Sequence, residues 1–112
     1  LLNKAGERIN NIDYFICHQS SCFTLKKLCE RLGVPKEKLP LDIVPIYGNS
    51  SSATIPVTLT HHYDDMYGDG KDSNKVMFAA FGTGLSLGCV LMDVPKFDYC
   101  KFIEYEHSNA QL

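Results

Sequence analysis

Apolar and polar positions follow two rhythms along this chain. Residues 12–17, "IDYFIC", make a short apolar, aromatic-rich run that predicts a buried strand. The spacing then lengthens. In "CFTLKKLCERLG", Leu25, Leu28, Cys29 and Leu32 fall at i, i+3, i+4 and i+7, with Lys26, Lys27, Glu30 and Arg31 on the other side. That predicts a helix capped by Ser20 or Ser21, ended by Gly33 and kept from resuming by Pro35. "PKEKLPLD" reads as a polar connection with room for one helical turn, and "IVPIY" as a short extended piece broken by Pro45. Serines 50–52 predict a second capping cluster. Behind it Ile55, Leu59, Tyr63 and Met66 form the stripe of a second helix, with Pro56 close to its first turn.

The second half is extended. "YGDGKDSN" is a loop by composition, and "KVMFAAF" is a continuous apolar run suited to a central strand. "GTG" makes a tight turn and "LSLGCVLMDV" returns, which predicts a hairpin. The tail predicts an edge strand around 97–105 and then a frayed end. Strand and helix alternate and finish in a hairpin, which describes a three-layered α/β architecture. Three strands and two helices make a meagre sheet, so part of its cover is expected from chain outside these residues. "LLNKAG" reads as the back half of a helix stopped by Gly6, and a truncated chain is the expectation.

Composition narrows the function classes. The chain has 112 residues, enough for one small domain, and 45% of them are hydrophobic, which suits a folded core. Eleven basic and thirteen acidic residues leave a net charge of -2, no footprint for nucleic acid or anionic lipid. No apolar run spans a bilayer, and a cytoplasmic protein is expected. Five cysteines is an odd count, and most sit in apolar periodic segments, so reduced core thiols are expected rather than a disulfide framework. Cys17, Cys22 and Cys29 with His18 lack a tight C-x2-C pair, and Asp64, Asp65, Asp69 and Asp72 lack calcium-loop spacing. No metal and no cofactor are expected. His61 and His62 are expected at a surface or interface.

The candidate chemistry lies where elements meet. His18 and Asn49 each follow an apolar extended segment and precede a serine-rich helix start, the edge at which open α/β sheets bind ligands. The turn Gly82, Thr83, Gly84 reaches a similar edge and lets backbone approach a ligand closely. An imidazole, a carboxamide and a backbone amide are convergent donors, which a developing oxyanion requires.

"DYFICHQSS", "YGNSSSATIPVTL" and "FAAFGTGLSLGCVLM", in that order, resemble the C-terminal part of 3-oxoacyl-[acyl-carrier-protein] synthase III, within the thiolase superfamily. The resemblance covers residues 1–93 as a partial thiolase-like domain, three-layered α/β/α with a C-terminal hairpin, and leaves 94–112 as an extension. It implies an acyltransferase that condenses an acyl primer with a malonyl thioester, held on acyl carrier protein or coenzyme A, with loss of carbon dioxide. His18 and Asn49 match the family's catalytic pair, which would bond the thioester oxygen as it becomes an enolate. Gly82, Thr83 and Gly84 match the loop at the second oxyanion position. The family's nucleophilic cysteine lies in an N-terminal half, and none of the five cysteines here has its context. The chain alone is therefore expected to be inactive, to need that half as partner, and to form a homodimer in full-length form. Gln19, Ser21 and Phe23 match positions along the substrate channel. There the pattern departs: Ser20, Ser21, Cys22 and Phe23 replace the usual Ala-Asn-Leu-Arg, and Phe23 cannot act as the cation that receives the carrier. That departure and the long tail point to a specialised substrate in fatty-acid or secondary metabolism. The alternative is a non-catalytic thiolase-fold partner that shapes a tunnel or binds carrier protein.

Overall fold

The computed structural model describes residues 1–68 and 70–105. Its centre is a three-stranded sheet in the order β1 (Tyr14–Cys17), β2 (Ser73–Gly82), β3 (Ser86–Pro95). β1 runs parallel to β2, with Tyr14 opposite Val76 and Cys17 opposite Ala79. β2 and β3 form the expected hairpin, from Ser73 opposite Pro95 to Gly82 opposite Ser86. Residues 83–85 turn the chain, with Gly84 at φ 72° and Leu85 at φ 53°. A Cβ at Gly82 would meet the Ser86 hydroxyl, which would have to rotate away from the Thr83 carbonyl it bonds.

Alternation along the strands divides the apolar residues between two cores. Phe15, Cys17 and Ala79 face one side, where they meet Leu25 and Cys29 of α2 (Cys22–Leu32) together with Ile12, Val34 and Leu39. Ile16 and Val76 face the other side, against Tyr63, Met66 and Tyr67 of α5 (Tyr63–Tyr67) and Val94. β1 and β2 are covered on both faces, the three-layered thiolase-like arrangement predicted from the sequence, while most of β3 is exposed. Leu25 is fully buried, and such a leucine contributes about 2 kcal/mol of transfer free energy. Gly33 ends α2 at φ 65°, and its N–H donates to the Cys29 carbonyl, as the pattern required. Gly6 likewise stops α1 (Leu2–Ala5) at φ 67°.

Several elements depart from the prediction. "IVPIY" is helical: α3 spans Ile43–Tyr47, between Asp42 and Gly48. Pro45 lies in the first turn, where no intrahelical N–H is required, so it does not break this helix. Asn49 therefore follows a helical turn rather than an extended piece. Serines 51 and 52 build a 3-10 turn through Ala53, and Ala53 rather than a serine precedes α4 (Thr54–His61). Ser21 does precede α2, but its hydroxyl makes no capping bond. The second helix is divided at His62, whose φ of −95° and ψ of 7° separate α4 from α5.

Residues 96–105 form no strand. The tail is fastened to the helical layer instead. The Tyr63 hydroxyl donates to the Phe97 carbonyl at 2.8 Å and accepts from its N–H at 2.5 Å, and the two rings stack at 5.9 Å. Phe102 packs on Tyr47 at 5.4 Å. Aromatic contacts with helices take the place of the edge strand expected around 97–105. Asp69 and the frayed end expected beyond 105 lie outside the described residues. No described helix is long and apolar enough to cross a membrane.

Candidate active site

His18 stands one residue past β1. Its N–H donates to the Ala79 carbonyl at 2.8 Å, which prolongs the parallel ladder by one step and holds the backbone at the carboxyl end of the sheet. β2 ends at the same edge, so the hairpin turn arrives beside it. His18, Gly82 and Thr83 together line a cleft of about 660 Å³, with Ser20, Ser51, Ser52, Ile55, Ala80 and Phe81. Gly84 and Asn49 lie outside that lining. Asn49 is exposed on the loop after α3, just before the two serines that form one wall. Its Oδ1 accepts the Ser51 N–H at 2.9 Å, an Asx turn that fixes the carboxamide and leaves its NH2 as donor. The loop is conformationally demanding: Gly48 has φ 74° and Ser51 has φ 54°.

A residue that sequence reasoning missed organises this site. Thr54 Oγ1 lies 2.6 Å from His18 Nδ1, 3.3 Å from the Gln19 backbone N–H and 3.0 Å from the Ser51 carbonyl. Thr54 is fully buried, and its one hydroxyl ties the strand end carrying His18 to the loop carrying Asn49. That hydroxyl has a single proton. Given to the Ser51 carbonyl, it obliges His18 Nδ1 to donate and makes Nε2 an acceptor. Given to Nδ1, it makes Nε2 a donor. Nε2 has no partner among the described residues. The only sequence signal was that a hydroxyl residue closes the run "NSSSAT", which resembled capping and nothing more.

The channel residues expected from sequence do not face the cleft. Gln19 is completely buried, and its amide donates to the carbonyls of Cys17 at 3.1 Å and Pro40 at 3.2 Å. Its amide nitrogen pins the strand end, and its buried Oε1 has no partner among the described residues. Ser21 is half-buried at the start of α2, and Phe23 is 71% exposed on that helix with the Lys27 ammonium 6.0 Å from its ring. Ser20, their neighbour, is the one that lines the cleft.

The cysteines are free. Burial, reinforced by Cys89 and Cys29, pushes the Cys17 thiol up to about 12, so it holds its proton at neutral pH. Burial also raises Cys29, whose Sγ lies 2.9 Å from the Val34 carbonyl. Neither lines the cleft.

A sheet with β1 and β2 covered on both faces, and a histidine and a glycine turn at its carboxyl edge, defines a thiolase-like fold in its C-terminal portion. The chain belongs to the family described as 3-oxoacyl-[acyl-carrier-protein (ACP)] synthase III C terminal, which it matches over residues 2–94. It is 33% identical over 92 residues to a beta-ketoacyl-[acyl-carrier-protein] synthase III of Neorickettsia sennetsu, covering 82% of this chain and 29% of that protein. To the synthase III 3 of Streptomyces coelicolor it is 30% identical over 98 residues, covering 88% and 28%. Among solved structures, the 3-oxoacyl-(acyl-carrier protein) synthase of Burkholderia xenovorans LB400 superposes with a TM-score of 0.83 at 31% identity, over 93% of this chain and 29% of that one. The synthase III of Pseudomonas aeruginosa PAO1 gives 0.75 at 27%, over 85% and 29%. The chain thus spans about three-tenths of the length of the relatives it matches.

Proposed function

We propose that this chain is the carbanion-forming part of a synthase III-type acyltransferase, which condenses an acyl primer with a malonyl thioester of acyl carrier protein or coenzyme A. The observation that supports it is the shared cleft of His18 and the Gly82–Thr83 turn, walled by the loop that carries Asn49. In this reading His18 Nε2–H and the Asn49 NH2 bond the thioester oxygen of the malonyl group. The bond to the carboxylate carbon breaks, carbon dioxide leaves, and the electron pair moves into an enolate whose charge these fixed donors hold. The carbanion then attacks the acyl carbon of a thioester on a cysteine outside these residues, the C–S bond breaks and the cysteine leaves as thiolate. In this reading the nucleophile is none of the five cysteines here, the buried Cys17 beside His18 keeping its proton, and the chain by itself carries no condensing activity. The rest of the synthase, in a homodimer, is the partner, and the five free thiols suit the reducing cytoplasm.

Malonyl thioester decarboxylation by the complete synthase that contains this chain is the test. His18→Ala and Asn49→Ala are each expected to lower the rate about 100- to 1,000-fold, the usual loss for one oxyanion donor. The exposure of Asn49, outside the cleft lining, is what a non-catalytic carrier-binding partner would show. An unchanged rate in both variants removes the first reading and supports the second.

A further inference from the structure

Three side chains from two segments of the chain, one before α3 and one at the end of α4, converge. Asp42 precedes α3, His61 ends α4, and His62 is the junction with α5. Asp42 Oδ1 lies 2.8 Å from His62 Nε2, and its Oδ2 lies 3.9 Å from His61 Nε2. One ligand atom from each residue can be chosen so that all three lie within 4.8 Å of one another. We propose that Asp42, His61 and His62 form a binding site for a divalent transition metal of the zinc class. This does not depend on the condensing reaction assigned above.

The donor set decides the class of ion. Two imidazoles and one carboxylate suit zinc, cobalt or nickel, whereas calcium and magnesium take oxygen ligands. Zinc bonds of about 2.0–2.2 Å in tetrahedral geometry separate ligand atoms by about 3.3–3.6 Å. One ligand atom from each residue here lies within 4.8 Å of the others, so small side-chain rotations bring the set to that spacing. A metal-binding imidazole must present a bare nitrogen, so its other nitrogen must carry the proton and donate it. His61 is placed for this, with Nδ1 2.9 Å from the Tyr47 hydroxyl. His62 Nε2 donates to Asp42 Oδ1 at 2.8 Å without an ion, so binding moves that proton to Nδ1, which the Asp65 carboxylate 3.6 Å away then attracts. Adjacent residues in an unbroken helix would point about 100° apart. The departure of His62 from helical geometry sets the two rings edge to face, with centroids at 4.8 Å.

The three side chains are 17% to 49% exposed, so an ion can reach them. Three protein ligands leave a fourth position for water or another donor. A bound ion would clip the start of α3 to the α4–α5 junction, closing the chain segment that contains Asn49 and Thr54.

The experiment is titration of purified, metal-stripped full chain with Co²⁺, followed by its visible d–d absorption, and displacement by Zn²⁺. One equivalent is expected to saturate an intense tetrahedral-type band at micromolar metal. His61→Gln and His62→Gln are each expected to weaken binding at least about 100-fold, and Tyr47→Phe about 10-fold. Far-ultraviolet circular dichroism verifies that each variant folds; Tyr47→Phe, which removes no ligand, still reads the site if a histidine variant does not. The proposal is overturned by an absence of saturable Co²⁺ binding, which leaves Asp42 and the histidines as simple ion pairs. It is equally overturned by binding that survives the double variant, or by a thiolate charge-transfer band that makes cysteines the ligands.

Discussion

The Thr54 hydroxyl proton has two acceptors, the Ser51 carbonyl at 3.0 Å and His18 Nδ1 at 2.6 Å, and the tautomer of His18 follows from the choice. An enolate requires Nε2–H, so under the proposed function the hydroxyl donates to the ring. Thr54→Val keeps the shape and removes that donor. In the complete synthase it is expected to lower kcat for decarboxylation about 10- to 100-fold with little change in KM, since the lost contact matters only as charge develops. Thr54→Ser should restore most of the rate, because it returns the hydroxyl. A Thr54→Ser variant as slow as Thr54→Val would mark Thr54 as packing alone. At this scale His18 was visible in the sequence through its neighbours. Thr54 was not, because a buried threonine that bonds a histidine and a threonine that caps a helix have the same letter and the same local context.

At the scale of elements, Asp13 joins the starts of β1 and β2. Its Oδ2 accepts the Lys75 N–H at 2.7 Å, and its Oδ1 pairs with the Lys71 ammonium at 2.7 Å. Burial by itself would raise this carboxyl, but the two Lys71 and Lys75 contacts outweigh it, and the group lies below its ordinary value of 3.8. A carboxyl depressed in the fold binds fewer protons folded than unfolded. Its stabilisation is therefore complete above about pH 5 and is lost as pH falls through the folded value. Asp13→Asn is expected to lower the urea midpoint at pH 7 and to converge with the wild type once the pH has fallen below the depressed folded pKa, measured by fluorescence or circular dichroism. Parallel curves with a constant gap would show that the asparagine disturbs packing and not charge. Strands and α2 were readable at this scale because their apolar periods are unambiguous. α3 is not legible in the sequence: five residues show no clear period, and Pro45 reads as a breaker although it falls in a first turn that has no use for its N–H.

For the whole molecule, β3 is the open edge of the sheet, and Leu87, Val90 and Met92 are 67%, 56% and 47% exposed along it. With Leu85 at the turn, 96% exposed, they make an apolar border of the kind natural proteins keep covered. The 112-residue chain on its own is expected to bind 1-anilinonaphthalene-8-sulfonate and to sediment as associated species. Val90→Lys with Met92→Lys should reduce both. A monodisperse wild-type monomer without dye binding would show that this border needs no cover.

What the residues determined unaided was whatever rests on contacts between near neighbours: the buried strand, the amphipathic helix, the glycine stops, and the motif order that matches synthase III. Periodicity and turn chemistry act over a few residues and are written there. Tertiary structure decided the rest. It brought Ser51 and Ser52 beside His18, buried Gln19 and Thr54, sent the tail to the helices, and drew Asp42 toward His61 and His62. Those outcomes depend on which surfaces meet once β1 and β2 are covered on both faces, and contacts between residues far apart in sequence leave no local pattern to read.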